Sequence, residues 1–265
     1  MGALTGRKVI VVGASAGIGR AFAYEAIKAD ATVLAVARRQ DKLDELVAEA
    51  GGGVTLAADV SNPYDCERIG EAAARELGEV DLLMHCAGVA PLKRFRDMTA
   101  DDWEGVLATN VVGVHQVIRH VLPVLTPTAI AAVMSSEVVG RPRTALGAYG
   151  SSKAALEMLI ENWRNEVPGI RFSTIQIGSA VPTEFGNSFE IGLLNEVMIE
   201  WANAGLAQAE FMDVAEVGQY LLGIFAATLP FPGICMEHVV VRSPSAVISD
   251  AEAMMQVAAE THGLA

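Results

Sequence analysis

The stretch Lys8-Val-Ile-Val-Val-Gly13-Ala-Ser-Ala-Gly17-Ile-Gly19 decides the fold of this 265-residue chain. A short apolar strand leads into a tight turn, and a helical pattern begins at the end of the glycine cluster. Gly13 permits the turn, Gly17 lets a pyrophosphate approach the backbone, and Gly19 lets the helix press on the sheet. The amide groups that start a helix also favour phosphate. The stretch therefore predicts a dinucleotide site, formed by Gly13, Ser15, Gly17, Ile18 and Gly19.

Short apolar segments alternate with amphipathic ones along the chain, and no internal repeat or linker interrupts them. Most of the short segments are apolar on both faces, which is typical of strands in a covered parallel sheet. The alternation predicts a doubly wound, Rossmann-type α/β fold with a seven-stranded parallel sheet and helices on both faces. The predicted strands are 8–12, 32–37, 54–58, 80–86, 129–135, 171–177 and 235–241. The predicted helices lie near 16–29, 40–50, 63–77, 100–122, 149–166 and 213–228, with capping patterns at Asn62-Pro63 and Thr99-Ala-Asp-Asp102.

Composition restricts the class of protein. Hydrophobic residues make up 52% of the chain, which excludes intrinsic disorder for most of it. A net charge of −13 leaves no basic surplus to neutralise phosphates, so nucleic acid and anionic membranes are poor partners. Three scattered cysteines indicate a reduced, cytoplasmic location, and the five histidines lack metal-ligand spacing, so no metal is expected. The longest uncharged run, 217–236, contains two prolines and predicts no membrane span.

The end of the second predicted strand indicates which dinucleotide binds. A reader of the ribose 2′-hydroxyl is an acidic residue about 20 positions after the glycine loop. The stretch here is Val36-Ala37-Arg38-Arg39, and no carboxylate lies between Asp30 and Asp41. Because a 2′-phosphate prefers guanidinium groups, we expect NADP(H) to be preferred over NAD(H), with Arg38 or Arg39 on the phosphate. The alternative is that both arginines merely start the next helix in solvent.

A tyrosine and a lysine stand one helical turn apart. Tyr149 and Lys153 are at i and i+4, so both side chains lie on one helix face. A free phenol has a pKa of about 10, and a partly desolvated ammonium group, helped by the positive charge of an oxidised nicotinamide, would lower it towards the range useful for proton transfer. Ser136 ends the fifth predicted strand at the edge where ligands bind such sheets. Asn110 lies inside the fourth predicted helix, where a buried amide would hold a helix carbonyl and a water against the lysine. The alternative is an ordinary surface pair.

Together these motifs resemble the short-chain dehydrogenase/reductase family in its compact, single-domain branch. The resemblance extends over about residues 5–243. It implies an enzyme that transfers hydride between NADP(H) and a carbonyl or secondary alcohol. The residues that carry it are Gly13, Gly17, Gly19, Asp59, Val60, Ala87, Gly88, Asn110, Ser136, Tyr149 and Lys153.

The resemblance also assigns roles to these positions. Tyr149 is the general acid/base, and Ser136 hydrogen-bonds the substrate oxygen. Lys153 lowers the pKa of the tyrosine and holds the nicotinamide ribose, while Asn110 anchors a water. The remaining implied cofactor contacts are Asp59 and Val60 at the adenine, Ala87 and Gly88 at the ribose and nicotinamide, and Thr183 near the carboxamide.

The sequence departs from the family pattern at four places. Val12 replaces a threonine before the first glycine, and His85-Cys86 replaces a pair of asparagines. Ile177 replaces the proline that usually precedes Gly178, and Thr183 falls one position late. These departures affect the loops around the cofactor more than the catalytic group.

Residues 1–265 are expected to form one domain with a substrate lid at about 183–210 and a tail at about 243–265. The lid favours a hydrophobic small-molecule substrate, although packing on its own domain explains its apolar residues equally well. Its apolar residues are Phe185, Phe189, Ile191, Leu193, Leu194, Val197, Met198, Ile199 and Trp201. Arg141 and Arg143 would meet an anionic group or, as is commoner for loop arginines, point into solvent. The resemblance implies a homodimer or homotetramer built through the helices near 100–122 and 149–166.

Other functions remain open at this point. A non-catalytic NADP(H)-binding regulator would use the glycine loop without needing Asn110, Ser136, Tyr149 and Lys153. A methyltransferase would need an acidic ribose reader on the second strand, and that carboxylate is absent. A sugar-nucleotide epimerase normally carries a larger C-terminal substrate domain than the segment that follows Thr183.

Overall fold

A seven-stranded parallel sheet forms the centre of the computed structural model, which describes residues 2–248. Every neighbouring pair in the sheet is parallel, and the spatial order is β7-β6-β5-β4-β1-β2-β3. The predicted doubly wound sheet is thus confirmed. The strands are β1 (Lys8–Val12), β2 (Thr32–Ala37), β3 (Val54–Ala57), β4 (Val80–His85), β5 (Leu125–Ser136), β6 (Arg171–Ile177) and β7 (His238–Val241). The strand order reverses between β1 and β4, where ligands bind in sheets of this type.

Helices cover both faces of the sheet. One core cluster packs α1, α2 and α8 against one face, and a second packs α3, α5 and α6 against the other. Both faces of the sheet are therefore buried, as the apolar residues on both sides of the strands predict. The helices are α1 (Gly17–Lys28), α2 (Gln40–Ala50), α3 (Pro63–Glu76), α4 (Ala100–Leu107), α5 (Val114–Val121), α6 (Gly147–Glu166), α7 (Ile191–Asn203) and α8 (Val214–Thr228).

Two helix starts form as their capping patterns predict. The Asn62 side chain accepts a hydrogen bond from the Tyr64 amide at 3.0 Å, with Pro63 in the first helical position of α3. Thr99 and Asp102 form a reciprocal capping box at the start of α4. Each cap satisfies amide groups that have no partner within the helix, and thereby fixes where the helix begins.

The predicted helix over 100–122 forms, with helical residues from Ala100 to Val121, but it is not an α-helix throughout. A six-residue π-helical segment, Ala108–Gly113, separates α4 from α5. Asn110 lies within it, and its side chain exchanges two hydrogen bonds with the backbone of Val89, which draws this segment towards the end of β4. Such π segments are frequent at functional sites.

Two strand boundaries also differ from the prediction. β5 begins at Leu125 rather than 129, with exposed residues at positions 127 and 128 that obscure its apolar pattern. β7 begins at His238 rather than 235. Just before it, the Met236 carbonyl accepts a hydrogen bond from the Ser173 side chain instead of from the backbone of β6.

The lid region contains α7 and two short pairings outside the main sheet. Ala180–Val181 pairs with Met212–Asp213, and Ala207–Gln208 pairs with Val247–Ile248. The predicted tail lies outside the described residues from position 249 onwards. No helix within residues 2–248 combines the length and the apolar character needed to cross a membrane. The cytoplasmic location stays a prediction.

Candidate active site

The glycine loop packs tightly between β1 and β4. Gly13 has a φ of 88°, and a Cβ atom there would lie 2.6 Å from the Ala87 amide nitrogen. A Cβ atom on Gly19 would lie 2.3 Å from the Gly13 carbonyl oxygen. No other residue type fits either position without displacing backbone, so the turn and the close approach of α1 both depend on glycine.

The start of α1 has the features of a phosphate site. Its N-cap residue, Ala16, makes no side-chain capping bond, and the first turn carries no acidic residue. The first amide groups of the helix are therefore free to bind an anion at the positive end of the helix dipole. Ile18 is half-buried and packs on the core, so its side chain anchors this end of the helix. These features fit the pyrophosphate of a dinucleotide.

The two predicted phosphate-binding arginines differ in their surroundings. Arg38 is exposed and makes no hydrogen bond or ion pair within residues 2–248. Arg39 donates to the Ser15 hydroxyl at 3.1 Å and makes two hydrogen bonds with the Glu184 carboxylate, at 3.0 and 2.5 Å. The hydrogen bonds with Glu184 raise the pKa of Arg39, and burial, which acts to lower this pKa, is the smaller effect. The guanidinium, the serine and the glycine loop thus lie together, as expected for a 2′-phosphate site.

The other predicted cofactor residues lie along the same carboxyl edge of the sheet. Asp59 and Val60 follow β3, where the Asp59 carboxylate accepts from the amide and hydroxyl of Ser61. Ala87 and Gly88 follow β4, and a Cβ atom on Gly88 would lie 3.4 Å from Lys153 Nζ. Thr183 lies against the glycine loop, since its methyl group is 3.6 Å from a Cβ atom built on Gly17.

Tyr149 lies in the first turn of α6, facing the end of β5. Its side chain is 7% exposed and lies close to Ser136, which is 6% exposed and acts to lower the pKa of the phenol. Lys153, one turn further along α6, places Nζ 5.7 Å from the centre of the Tyr149 ring. The predicted helix face and the predicted strand end therefore bring these three side chains together.

The expected low pKa of Tyr149 is not produced by the chain itself. Burial raises the pKa of Tyr149 to about 12, because the charged phenolate is disfavoured away from water. The nearby Ser136 side chain and the positive charge of Arg143 act in the opposite direction, but their effects are smaller. The prediction that Lys153 acidifies the tyrosine is therefore not met by the chain alone, and the phenol stays protonated at neutral pH.

Lys153 is buried among groups that carry little charge. Its Nζ donates to the Met134 carbonyl at 2.7 Å, and the residue is 3% exposed. Burial lowers its pKa to about 8, while Cys86 and Glu157 act to raise it. The side chain is thus close to its titration point near neutral pH, where small electrostatic changes alter its charge.

Asn110 occupies the site but not in the predicted way. Its Nδ2 donates to the Val89 carbonyl at 2.8 Å and to the Ser152 hydroxyl at 2.9 Å, and its Oδ1 accepts from the Val89 amide at 2.8 Å. The amide was expected to hold a helix carbonyl, and it instead ties the π segment to the loop after β4. The reason is that Asn110 lies in the π-helical segment and not in a regular α-helix.

Aromatic residues of the lid cover the tyrosine. The Phe185 ring packs edge-on to Tyr149 with centroids 5.1 Å apart, and Phe189 packs on Phe185 at 5.6 Å. Phe189 and Trp201 also contact the apolar cluster around Tyr149. Other lid residues, including Val197 and Met198, are buried within α7 and its own neighbours. These contacts fit the explanation that the apolar residues pack on their own domain, and the hydrophobic substrate stays a prediction.

The two arginines of the loop after Ser136, Arg141 and Arg143, differ in their exposure to solvent. Arg141 is exposed, as expected of a loop arginine. Arg143 is only 11% exposed and donates to Glu137 at 2.6 Å, so its predicted solvation is wrong. Glu137, directly after Ser136, is shared with Arg242, whose Nε lies 2.8 Å from the second carboxylate oxygen. This buried carboxylate between two arginines joins the active-site loop to the end of β7.

Comparison with known proteins supports the fold and the site pattern. A family model described as short chain dehydrogenase matches residues 7–190. The chain belongs to the short chain dehydrogenase family. The matched range includes the glycine loop, Asn110, Ser136, Tyr149 and Lys153 and ends within the lid.

Relatives and solved structures agree with this membership. An 11-beta-hydroxysteroid dehydrogenase-like protein of Arabidopsis thaliana is 34% identical over 190 residues, which cover 68% of this chain and 61% of the relative. An NADPH-dependent pterin aldehyde reductase of the same plant is 34% identical over 167 residues, covering 61% of this chain and 69% of the relative. The chain therefore spans about three fifths of the first relative. A 7 alpha-hydroxysteroid dehydrogenase structure, complexed with NADH and 7-oxo glycochenodeoxycholic acid, shares the fold with a TM-score of 0.78 at 21% identity, covering 93% of this chain and 97% of its own.

Sequence reasoning missed several charged residues of this short chain dehydrogenase. Glu184 follows Thr183 directly, and Glu137 follows Ser136 directly, so adjacency to predicted site residues was the available signal. Glu157 is one helical turn beyond Lys153, and the spacing i, i+4, i+8 from Tyr149 would have found it. Apart from Arg143, which lies near Glu137 in the chain, their partners are distant in sequence, so the sequence did not predict what each one contacts.

Proposed function

We propose that this short chain dehydrogenase transfers hydride between NADP(H) and the carbonyl or secondary alcohol of an apolar small molecule. The observation that carries the proposal is the placement of the Tyr149 phenol close to Ser136, with Lys153 Nζ 5.7 Å from the centre of the ring, at the carboxyl edge of the sheet. The nicotinamide cofactor supplies the hydride when it is bound. The chain supplies orientation, a proton and charge stabilisation around the reacting oxygen.

Each residue has a distinct task in this proposal. Tyr149 donates a proton to the substrate oxygen in reduction and accepts it in oxidation. Ser136 donates a hydrogen bond to the same oxygen while negative charge develops there. Lys153 holds a ribose hydroxyl and contributes positive charge, and Asn110 fixes the loop after β4 against the π segment.

The raised pKa of Tyr149 favours the reductive direction in the chain alone. A phenol with a pKa of about 12 is protonated at neutral pH and is therefore ready to act as an acid. Oxidation requires the phenolate, whose formation needs additional positive charge close to the ring. We therefore expect carbonyl reduction to be fast at neutral pH and alcohol oxidation to rise with pH.

NADP(H) is the cofactor that the basic residues favour, and NAD(H) is the alternative. Arg39 and Ser15 lie together at the glycine loop, and exposed Arg38 adjoins them in sequence. A planar guanidinium suits a phosphate, and a carboxylate reader for a free 2′-hydroxyl is absent from the end of β2. The name of the pterin aldehyde reductase includes dependence on NADPH, which supports the same choice.

The substrate class follows from the residues over Tyr149. We assign residues 183–210 as a lid whose rings, Phe185, Phe189 and Trp201, lie over or beside the tyrosine cluster. Aromatic walls with few polar groups bind apolar ligands and leave the reactive oxygen to Ser136 and Tyr149. Two of the compared proteins bear hydroxysteroid dehydrogenase names, which supports a bulky apolar substrate here.

The test is Tyr149→Phe, measured by NADPH oxidation with a panel of ketones, aldehydes and quinones. We expect turnover to fall by a factor of about 10² to 10⁴, while NADPH binding measured by fluorescence is retained. Unchanged turnover in the variant would reject the catalytic assignment. NADPH binding by the wild type without turnover of any carbonyl would favour the non-catalytic regulator.

A further inference from the structure

Glu157 continues the row of side chains that contains the proposed catalytic pair. Tyr149, Lys153 and Glu157 are spaced at i, i+4 and i+8 on α6, so they follow one another along one helix face. The Glu157 carboxylate points at the sheet, where Oε1 accepts from the Ser135 hydroxyl at 2.5 Å and from Gln176 Nε2 at 2.9 Å. Glu157 belongs to none of the sequence motifs that carry the reaction.

The two donors to Glu157 are neighbours in the sheet. Ser135 on β5 is directly paired with Gln176 on β6. Met134, the residue before Ser135, gives its carbonyl to Lys153 Nζ at 2.7 Å. Adjacent residues of β5 therefore bind the lysine and the glutamate, which fixes the two side chains on the same face of α6, one helical turn apart.

The other groups around Lys153 are uncharged at neutral pH. From the end of β4, His85 and Cys86 face the ammonium; burial lowers the pKa of His85 to about 3 and raises that of Cys86 to about 12. From the π segment, Asn110 contributes a neutral amide close to Gly88 and Lys153. The Tyr149 phenol is neutral as well. Burial lowers the pKa of Lys153, and the negative charge of Glu157 acts to raise it.

We propose that Glu157 is a positioning residue for the reaction, holding the buried Lys153 side chain as an ammonium ion; the inference rests on the role proposed for Lys153. The need for such a residue follows from burial, which disfavours the charged lysine. The Met134 carbonyl supplies a hydrogen bond but no negative charge. A carboxylate one turn away compensates for part of the lost hydration at a distance that leaves Nζ free for a ribose hydroxyl.

A purely structural role would make a different prediction. In that case Glu157 would only fasten α6 to β5 and β6, and any residue that keeps the two hydrogen bonds would serve. Glu157→Gln keeps the size of the side chain and an oxygen that accepts from Ser135 and Gln176, and it removes only the charge. Gln176→Met is the matched control, because it removes one of the two hydrogen bonds and keeps the charge.

The titration of Lys153 can be measured directly, without cofactor and without turnover. The chain contains five lysines, Lys8, Lys28, Lys42, Lys93 and Lys153, so ¹³Cε-lysine NMR gives a simple spectrum. The signal that is missing in Lys153→Arg identifies Lys153. We expect Glu157→Gln to lower its titration midpoint by roughly half a unit to one unit, and Gln176→Met to leave it unchanged or raise it.

A second measurement connects the charge to function. The alkaline limb of kcat/KM for carbonyl reduction should move to lower pH in Glu157→Gln by the same amount as the NMR midpoint. If the amide variant fails to fold, Glu157→Met provides the same loss of charge in an apolar side chain, with the same expected shift. An unchanged Lys153 midpoint in a folded variant overturns the inference. A shifted midpoint in a protein that reduces no carbonyl supports the electrostatic role and rejects the proposed function instead.

Discussion

The Arg39 guanidinium and the Glu184 carboxylate join two distant parts of the chain through hydrogen bonds of 3.0 and 2.5 Å. Arg39 ends the loop after β2, and Glu184 begins the lid, 145 positions later. Both side chains are nearly half exposed, at 42% and 46%. The guanidinium proposed to bind the 2′-phosphate is therefore already paired with an anion, and the two anions compete for it.

Glu184→Gln should tighten NADPH binding by about two- to five-fold, because an exposed ion pair is weak and its loss frees Arg39 for the phosphate. NADH has no 2′-phosphate, so its dissociation constant should not change. Fluorescence titration with both dinucleotides provides the measurement. Arg39→Ala is the opposing control and should weaken NADPH binding by about tenfold or more. Equal weakening of both dinucleotides in Glu184→Gln would show that the pair holds the lid rather than competing with phosphate.

Lys153→Met should change how stability depends on pH. Burial lowers the pKa of Lys153 from its ordinary value of 10.5 to about 8 in the folded protein, so the unfolded chain binds the proton more strongly. The charged lysine therefore opposes folding below pH 8, and this penalty disappears as pH rises from 8 towards 10.5. Wild-type stability should rise relative to the variant across that window. Urea unfolding at pH 7, 8, 9 and 10 measures the difference, and a constant difference would contradict the lowered pKa.

Gly13→Ala should abolish dinucleotide binding and destabilise the fold. The new Cβ atom would lie 2.6 Å from the Ala87 nitrogen, and alanine is strained at a φ of 88°. Gly223→Ala in α8 is the matched control. Apart from its chain neighbours and its own helix backbone, no atom of residues 2–248 lies within 4 Å of its Cβ position. The control should be neutral or more stable by up to about 1 kcal/mol, since alanine favours helix. Thermal unfolding and NADPH titration of both variants separate a specific steric effect from a general effect of adding a methyl group.

How much of the structure the sequence predicts depends on how far apart in the chain the interacting residues are. β1 and the glycine loop are determined by neighbouring residues, as is the capping box of Thr99 and Asp102, and these were predicted. Tyr149 and Lys153 were placed on one face because helix geometry alone determines their spacing. The π segment was missed, because it depends on contacts of Asn110 with Val89 that form only when the fold closes.

Charge partners were the least predictable part of the site. Arg39 meets Glu184, and Glu137 meets Arg242, across long stretches of sequence whose approach depends on the whole sheet. The pKa of Tyr149 in the chain without cofactor is equally hard to predict, since local spacing shows the nearby lysine but not the burial that raises this pKa. Local sequence therefore identifies which side chains are present, and tertiary packing determines their charge.

Glu137→Gln should destabilise the protein by about 3 kcal/mol, because it leaves two arginines without their shared carboxylate in a region that is mostly buried. Glu137 is 3% exposed in its side chain and binds Arg143 and Arg242. The exposed Arg141→Gln should change stability by less than about 0.5 kcal/mol. Denaturant unfolding measures both. A change in Glu137→Gln as small as that in the control would show that the ion cluster contributes little to the fold.

The oligomer is expected to form through the helices near 100–122 and 149–166, which are α4, the π segment, α5 and α6. Val112 is 50% exposed and Met158 is 63% exposed, so an apolar surface is available on these elements. Light scattering of the wild type should give the mass of a dimer or tetramer. The double variant Val112→Glu and Met158→Glu should lower that mass, because burying carboxylates in an apolar interface is costly. Tyr64→Glu, an equally exposed site on α3, should leave the mass unchanged. A monomeric wild type, or a double variant that keeps the wild-type mass, would exclude this interface.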